Sequence, residues 1–154
     1  MPVAGLISDT HGLLRDEALR ALDGCDLIIH AGDVGKLEIL DALKARAPLV
    51  AVRGNTDKGA WASVLPITAV AQAGPAGIYV LHDIHELDLD PAAAGFQVVV
   101  SGHSHQPARR EQSGVLFLNP GSAGPRRFKL PVTIARLDLG KSPWEVEFIR
   151  LDAG

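Results

Sequence analysis

The stretch DLIIHAGD, residues 26–33, decides the fold of this chain. Its apolar run reads as a buried strand, because it is too short for a helix and is followed at once by a glycine and an aspartate. An amphipathic helix stands on each side of it in the sequence, with a further apolar strand beyond each helix. The helices are predicted over 13–24 and 36–47, and the two outer strands over 3–8 and 48–54. This alternation predicts parallel strands joined by right-handed crossovers.

The rest of the chain is dominated by strands that are separated by short turns. These strands are predicted over 66–74, 77–82, 96–103, 114–122, 131–139 and 144–151. Several alternate apolar and polar residues, which is typical of edge strands or of antiparallel pairs with one solvated face. The last two are separated by GKSP and are predicted to form a hairpin. We therefore expect one domain, residues 1–154, built as an α/β sandwich of two sheets flanked by helices.

Composition narrows the class of protein. The 154 residues are 47% hydrophobic and 21% charged, and the formal net charge of −3 gives no basic footprint for nucleic acid. The lone Cys25 excludes an internal disulfide and a cysteine-cluster zinc site. No apolar run approaches the roughly 18–20 residues of a membrane span, and the N-terminus reads as a first strand rather than a signal peptide. A cytoplasmic location is expected.

Polar side chains follow directly after five of the predicted strands. They are Asp9 and His11, then Asp33, then Asn55 and Asp57, then His82, and last His103 and His105. Ligands of open α/β sheets bind beyond the carboxyl ends of the parallel strands, so these side chains are expected to meet at one rim. The polar residues after any one strand could belong to a turn or a helix cap. Five strand ends of this kind together predict a binding site.

The residue types at this rim predict the ligand. Oxygen atoms from carboxylates and an amide, mixed with four imidazoles, suit divalent transition metals. The set holds too much imidazole for a calcium cage and no thiolate for structural zinc. Seven ligands exceed the needs of one ion, whereas one shared carboxylate would give each of two ions four ligands. Two ions about 3.5–4 Å apart are the usual machinery for attack at phosphorus.

The motifs D-x-H, G-D, G-N-x-D, a strand-terminal histidine and G-H-x-H resemble those of the calcineurin-like metallophosphoesterase superfamily. The short length and the segments VRGNTD, SGHSH and LNPGSAGPRR are similar to its compact YfcE-type phosphodiesterase branch. The resemblance implies a four-layer α/β/β/α sandwich of two mixed sheets. It implies one metal held by Asp9, His11, Asp33 and His105, and a second held by Asp33, Asn55, His82 and His103. Asp33 would bridge the two ions, and Asp33, Asn55 and His103 are implied to act in catalysis.

Two positions depart from the superfamily pattern. Thr56 stands where many members carry a histidine that assists the leaving group or contacts the phosphate, and the fourth motif reads LHDIH. His85 in that motif is interpreted as a rim or substrate-side residue. Weaker candidates keep an ordinary alternative: Asp57 as the partner of a metal-binding histidine or a turn residue, Asn119 and Ser122 as donors at the rim or turn residues, and Arg126 as a phosphate contact or a surface arginine.

These observations predict a metal-dependent phosphoesterase, with a phosphodiesterase favoured, in which hydroxide activated by two metal ions attacks a small phosphodiester or phosphate ester. Manganese is the favoured metal, and nickel, iron, cobalt and zinc are alternatives. A phosphomonoesterase or nucleotide pyrophosphatase is the alternative among enzymes. The alternative outside enzymes is a protein-binding scaffold that resembles the retromer subunit. No membrane partner is expected, and a homodimer formed through the C-terminal strands is a secondary hypothesis.

Overall fold

The computed structural model describes residues 2–152 as two five-stranded mixed sheets that pack face to face. Met1, Ala153 and Gly154, at the ends of the predicted domain, lie outside the described residues. The strands are β1 Val3–Ile7, β2 Leu27–His30, β3 Leu49–Ala51, β4 Thr68–Ala73, β5 Ala76–Leu81, β6 Val98–Val100, β7 Ala108–Gln112, β8 Val115–Asn119, β9 Thr133–Asp138 and β10 Glu145–Arg150. The helices are α1 Asp16–Ala21 and α2 Leu37–Lys44.

The first sheet has the strand order β10-β9-β1-β2-β3. Its strands β1, β2 and β3 are parallel, as the alternating pattern of the first third predicted, with Gly5 opposite Ile28 and Ile29 opposite Val50. The predicted C-terminal hairpin is also confirmed, because β10 pairs with β9 in antiparallel register. Residues of α1 and α2 pack on the outer face of this sheet. In residues 2–152, no helix has the length and apolar character needed to cross a membrane.

The second sheet has the strand order β4-β5-β6-β8-β7. Its central strands β5, β6 and β8 are parallel, and β4 and β7 pair antiparallel at the two edges. The predicted sandwich of two mixed sheets is confirmed, but the fourth layer contains no α-helix among the described residues. It is formed by the loop after β5, where Ile84, Leu87 and Leu89 pack against Tyr79, Val99 and other side chains of the outer face. A short 3-10 helix, Ile84–Glu86, is the regular structure in this layer.

The main hydrophobic core lies between the two sheets. Alternate residues of every strand except β7 point into it, as the period of two in a strand requires. Leu6 and Ile29 come from the first sheet, and Val80, Val98 and Leu118 come from the second. This packed interior fixes where the strand ends lie, because each side chain in it is almost fully excluded from water.

Strand β7 was not predicted. Its sequence ARREQ is fully exposed and contains no alternating apolar residues, so the hydrophobic pattern gives no signal. The structure pairs it with β8 across a tight turn at Ser113 and Gly114, both of which have positive φ. A Ser-Gly pair directly before the apolar run VLFLN is a hairpin signal, and it would have located this strand.

Candidate metal centre

The predicted metal ligands lie at one rim of the sandwich, at the carboxyl ends of β1, β2, β3, β5 and β6. The ligands that follow strands of the first sheet are Asp9, His11, Asp33 and Asn55, and those that follow strands of the second are His82, His103 and His105. Six of the seven fall into two compact groups whose ligand atoms lie within 4.8 Å of one another. The first ligand group is Asp9, His11 and His105, and the second ligand group is Asp33, His82 and His103.

The backbone at these residues is strained. Left-handed φ is uncommon outside glycine, and residues 2–152 contain seven non-glycine examples. Five of these are predicted ligands: Asp9 (55°), His11 (45°), Asp33 (57°), His103 (71°) and His105 (62°). Conformations of this kind cost on the order of 1–3 kcal/mol each and cluster at functional sites. The strain therefore marks the rim independently of the side-chain chemistry.

Two glycines of the motifs let the ligand loops approach each other. A β-carbon on Gly54 would overlap the backbone nitrogen and Oδ1 of Asp33 and would lie 2.7 Å from its Cγ. A β-carbon on Gly102 would overlap the Ser8 hydroxyl and lie 2.7 Å from Oδ2 of Asp9. The G-N and G-H motifs thus need glycine because a neighbouring ligand occupies the space of a side chain.

The first ligand group leaves polar atoms without hydrogen bonds. Oδ1 of Asp9 lies 3.3 Å from Nε2 of His105 and 3.6 Å from Nε2 of His11. Oδ1 of Asp9 and Nε2 of His11 are both buried and have no hydrogen-bond partner. Atoms that each lie about 2.1 Å from one ion are about 3–3.5 Å apart, so this spacing fits a shared cation. Buried polar atoms left without a partner are costly unless a ligand satisfies them.

Asp33 stands between the two groups. Its Oδ2 lies 3.2 Å from Nε2 of His82 in the second group and 3.6 Å from Nε2 of His11 in the first. Its Oδ1 accepts a hydrogen bond of 2.9 Å from the backbone N–H of Thr56. One carboxylate oxygen is thereby fixed by the protein, and the other faces both groups. This is the geometry that a bridging ligand requires.

The second ligand group directs several lone pairs at one point. Nδ1 of His82 lies 2.7 Å from the carbonyl oxygen of Ala31, which can only accept, so Nδ1 carries a proton. Nε2 of His82 faces Oδ1 of Asn55 at 3.0 Å and Nδ1 of His103 at 3.3 Å; it carries a proton in the metal-free chain, because the pKa of His82 is raised, and it offers a lone pair when a metal ion replaces that proton. Oxygen and nitrogen acceptors this close to one another need a proton or a metal ion between them.

The ionisation of these groups reflects the same crowding. Burial lowers the pKa of His82, but attraction to Asp33 and Asp9 outweighs it and raises that pKa to about 9. Burial raises the pKa of Asp9, and the nearby rings of His105 and His11 with the Ser8 hydroxyl hold it well below its ordinary value. Burial raises the pKa of Asp33, whereas His82 and Thr56 hold it below its usual range. Both carboxylates are therefore anionic at neutral pH, as metal ligands must be.

Of the two roles considered for Asp57, the structure fits the turn residue and not the partner of a metal-binding histidine, since its N–H donates to the Gly54 carbonyl at 3.2 Å. The carboxylate, which is almost fully buried, contacts no metal-site histidine and accepts three hydrogen bonds from backbone N–H groups. These come from Gly54 at 2.9 Å, Val34 at 3.1 Å and Gly35 at 2.9 Å. Three such bonds satisfy the buried charge, and they tie the loop after β3 to the loop that carries Asp33. Asp57 thus stabilises these two loops, because backbone N–H groups donate to both of its carboxylate oxygens.

Asn119 and Ser122 are not free donors at the rim. The Asn119 amide donates to the Gly102 carbonyl at 2.9 Å and to the Ser104 hydroxyl at 3.1 Å. The Ser122 hydroxyl donates to the Asp9 carbonyl at 3.0 Å. Both side chains are buried, so they fix the ligand loops and have no donor left for a substrate. The sequence could not reveal this, because the partners belong to distant segments.

The remaining candidates lie at the edge of the site. The backbone N–H of Thr56 donates a hydrogen bond to Asp33, and Thr56 itself is exposed to solvent. The side chain of His85 is 89% exposed and pairs with Asp83 at 3.0 Å, and Asp83 in turn lies 4.0 Å from Nε2 of His103, so His85 stands at the edge of the site outside both ligand groups. Arg126 is about half exposed and lies 3.8 Å from Asp152. None of the described contacts of Arg126 involves a predicted ligand.

His30 supports the centre without belonging to it. Its Nδ1 accepts from the backbone N–H of Gly32 at 3.1 Å, and its Nε2 lies 3.0 Å from the Thr10 hydroxyl. That hydroxyl donates to the Val34 carbonyl at 2.7 Å, so the Nε2–H of His30 is the donor in their contact. The ring thereby joins the loop of Asp9 to the loop of Asp33. Its place inside an apolar strand, directly before the G-D motif, is the signal in the sequence.

We expect His82→Ala to lower the metal content from two ions to one per chain, whereas His85→Ala leaves it unchanged. The reason is that His82 is buried against Asp33 and Asn55, whereas the His85 side chain is exposed. Elemental analysis of both variants after loading with Mn²⁺ measures this directly. Loss of an ion in His85→Ala with full occupancy in His82→Ala would show that the wrong histidine has been assigned.

We expect His30 to make the protein sensitive to acid. Burial lowers the pKa of His30 from 6.5 to about 4, so the unfolded chain binds this proton first as the pH falls. The neutral ring carries no penalty above pH 6.5, and as the pH falls from 6.5 to 4 the folded state loses stability, by about 3 kcal/mol near pH 4. In urea unfolding with a chelator, the free energy of unfolding between pH 7 and pH 4 should fall by about 3 kcal/mol more for the wild type than for His30→Gln. Parallel curves would contradict the assignment.

Comparison of the sequence with known proteins shows which family this chain resembles. A profile of the calcineurin-like phosphoesterase superfamily domain matches residues 3–142. A probable metallophosphoesterase of Methanocaldococcus jannaschii is 38% identical over 133 residues, which span 77% of this chain and 66% of that protein, just under two thirds of it. A probable metallophosphoesterase of Methanothermobacter thermautotrophicus is 32% identical over 162 residues, spanning 97% of this chain and 92% of that protein.

Solved structures with the same architecture span nearly the whole chain. An archaeal phosphodiesterase has a TM-score of 0.81 and 25% identity, covering 97% of this chain and 99% of that chain. Vps29 of Chaetomium thermophilum has a TM-score of 0.77 and 18% identity, covering 97% and 98% of the two chains. YfcE, a phosphoesterase from E. coli, has a TM-score of 0.70 and 19% identity, covering 97% and 100%. Vps29 of Chaetomium thermophilum and YfcE are 18% and 19% identical to this chain, so their similarity shows a shared fold and not a shared function.

Proposed function

The chain belongs to the calcineurin-like phosphoesterase superfamily, as its motifs predicted, and we propose that it is a phosphodiesterase that depends on two divalent metal ions. The family is one of hydrolases that act on phosphate esters. The similarity to an archaeal phosphodiesterase over almost the whole chain supports the choice of diesters. Manganese is the metal that we expect it to use, with nickel, iron, cobalt or zinc accepted by the same ligands.

The observation that carries this proposal is the convergence of the two ligand groups on Asp33. Oδ2 of Asp33 faces Nε2 of His82 and Nε2 of His11, while Oδ1 of Asp9 and Nε2 of His11 are buried without a hydrogen-bond partner. Lone pairs arranged in this way fit two cations that share one carboxylate. The donor set, with imidazole nitrogen and carboxylate or amide oxygen, suits divalent transition metals.

The side chains of this chain would prepare the site for attack at phosphorus. Two divalent ions, if bound there, would supply a water of lowered pKa and positive charge beside the phosphate. Asp9, His11 and His105 would hold the first ion, and the second ligand group with Asn55 would hold the other. The backbone N–H of Thr56 keeps the Asp33 carboxylate oriented, and the Ala31 carbonyl keeps the His82 ring oriented. Preorganised ligands of this kind need no rearrangement when charge develops in the transition state.

Thr56 limits which leaving groups the site can expel. The loop that holds Asn55 offers no imidazole at this position, and a missing general acid costs on the order of 10²–10⁴-fold on poor leaving groups. We therefore expect aryl diesters to be hydrolysed much faster than alkyl diesters. Nitrophenolate leaves without protonation, so p-nitrophenyl esters are suitable probes.

The direct test is hydrolysis of bis-p-nitrophenyl phosphate by protein loaded with Mn²⁺ or Ni²⁺. Rates on p-nitrophenyl phosphate, measured in parallel, separate a diesterase from a phosphomonoesterase, and ATP tests for a nucleotide pyrophosphatase. We expect kcat/KM for the diester to exceed that for the monoester and for ATP. Absence of turnover on every ester with every divalent metal would overturn the proposal.

A protein-binding scaffold is the second candidate, because the same architecture occurs in Vps29 proteins at TM-scores of 0.73 to 0.77. Metal content does not separate the two functions, since one solved Vps29 of Entamoeba histolytica is complexed with zinc. Turnover separates them. A chain that binds two ions and hydrolyses no phosphate ester would favour the scaffold.

A further inference from the structure

A cavity of about 370 Å³ opens beside the second ligand group. Asn55, His82 and His103 form part of its wall, so a molecule that fills it also touches the metal centre. Its volume is within the range of small-molecule sites and exceeds what a phosphate group alone needs. In a phosphodiester the phosphate carries two ester arms, and this cavity is placed to receive one of them.

One wall of the cavity is apolar. Ile67, Tyr79 and Leu81 line it, and Ile67 is largely exposed although it is a large hydrophobic residue. Tyr79 and Leu81 are held in place by the small apolar cluster on the outer face of the second sheet. This wall suits the hydrocarbon part of an alcohol.

Another part of the lining is acidic. Asp83, Glu86 and Asp88 all line the cavity. Asp83 is used internally, because its Oδ1 accepts from the backbone N–H of His85 at 3.0 Å. Within residues 2–152, the carboxylates of Glu86 and Asp88 have no hydrogen-bond or ion-pair partner. Two carboxylates at the mouth of a cavity attract a cation and repel an anion.

Arg53 is the cation in this lining, and its single positive charge is outnumbered by the three carboxylates of Asp83, Glu86 and Asp88. Its Nε and Nη2 donate to the carbonyl oxygen of Leu65 at 3.3 and 3.1 Å, which holds the guanidinium against the loop before β4. His82 and His103, the two imidazoles in the lining, are neutral when they bind a metal ion. The charge offered to an ester arm is therefore negative.

We propose that this cavity selects phosphodiesters in which one arm is a small amino alcohol, with its carbon atoms against Ile67 and Tyr79 and its positive charge toward Glu86 and Asp88. The inference rests on the proposed function and specifies its substrate class. It disfavours esters whose arm carries a further phosphate, such as nucleoside polyphosphates. The arm takes no part in bond breaking, so the selection acts on binding and is expressed in KM.

The test uses two isosteric substrates with the same leaving group. p-Nitrophenylphosphorylcholine has a cationic arm, and 3,3-dimethylbutyl p-nitrophenyl phosphate has an uncharged arm of the same shape. We expect the Mn²⁺-loaded wild type to prefer the choline ester in kcat/KM. One exposed charge pair is worth up to about a fivefold change, so the double variant Glu86→Gln/Asp88→Asn should lower the preference by roughly 5–25-fold.

The control variant is Glu38→Gln/Glu147→Gln, which also removes two negative charges, from the exposed surfaces of α2 and of the edge strand β10. It should leave the preference unchanged, whereas a general effect of net charge would lower it. Since neither Glu86 nor Asp88 is a predicted ligand, kcat on the uncharged ester should stay close to that of the wild type in every variant. The preference should also weaken as the salt concentration rises.

Two failures are distinguishable. If neither ester nor bis-p-nitrophenyl phosphate is hydrolysed, the proposed function fails. If the diesters are hydrolysed but the choline preference is absent, or persists in the double variant, the inference about the cavity fails while the phosphodiesterase stands.

Discussion

Asp33→Asn should abolish metal-dependent hydrolysis of bis-p-nitrophenyl phosphate, with a fall of at least about 10³-fold, because loss of even a partner behind a metal ligand costs 10–100-fold. The asparagine carbonyl can keep the hydrogen bond that Oδ1 of Asp33 accepts from Thr56. Its amide nitrogen then takes the position of Oδ2, where N–H groups would face Nε2 of His82 and Nε2 of His11. An amide nitrogen in this position cannot bridge two cations.

The measurement pairs the rate with the metal content, and both should fall together. Asp41→Asn is the matched control, since it makes the same change on the exposed surface of α2. Thermal unfolding of the chelated proteins shows whether the variant is folded. Activity within tenfold of the wild type, in a folded Asp33→Asn protein, would remove Asp33 from the bridging position.

Gly54→Ala should damage the site through the backbone. The new β-carbon would overlap the backbone nitrogen of Asp33, which cannot move aside as the end of a flexible side chain can. Overpacking of this kind costs about 1–3 kcal/mol or more, and the displaced loop carries the bridging carboxylate. Since a misplacement of about 1 Å can cost 10²-fold in rate, we expect a loss of that size at least.

Gly77→Ala provides the comparison, because a β-carbon there would meet the flexible end of Gln97 at 3.3 Å. It should change the free energy of unfolding and the rate little. Unfolding in denaturant and metal content separate lost stability from a displaced ligand. An unchanged rate in Gly54→Ala would mean that the loop after β3 can move without disturbing Asp33.

The hydrophobic periodicity of the sequence predicted most of the strands and both helices. The order of strands and helices up to residue 54 and the six later strands follow from apolar residues that pack in the core, on both faces of central strands and on one face of an edge strand such as β4. Strand β7 has no buried side chain, so its pairing depends on the backbone and the turn before β8. The outer layer of the second sheet was expected to be helical. Its loop after β5 instead covers the sheet with scattered apolar side chains, a pattern without a period.

The candidate site was predictable as a set of residues and not as a geometry. Ligand types at strand ends are visible in the chain, because every parallel strand delivers its next residues to the same rim. The roles of Asp57, Asn119 and Ser122 were not visible. Their oxygens and amides are consumed by backbone groups from other segments, and no local pattern records such a contact. Glu86 and Asp88 follow the fourth motif in the sequence, but only the structure shows that they line a cavity beside His82.

The ligands come from both sheets, and this makes each ion a reversible cross-link. In the first ligand group Asp9 follows β1 and His105 follows β6, and in the second Asp33 follows β2 and His82 follows β5. Each ion joins segments about 50–100 residues apart in the sequence and binds only the folded chain, so it stabilises the fold by about 4 kcal/mol when the free metal is about 1,000-fold above its dissociation constant. Chelation should therefore free the rim end of the sandwich first, and amide exchange should rise at the ends of β1 and β6 while the buried core stays protected. Metal supply would set how long the folded chain lasts, apart from any effect on its chemistry.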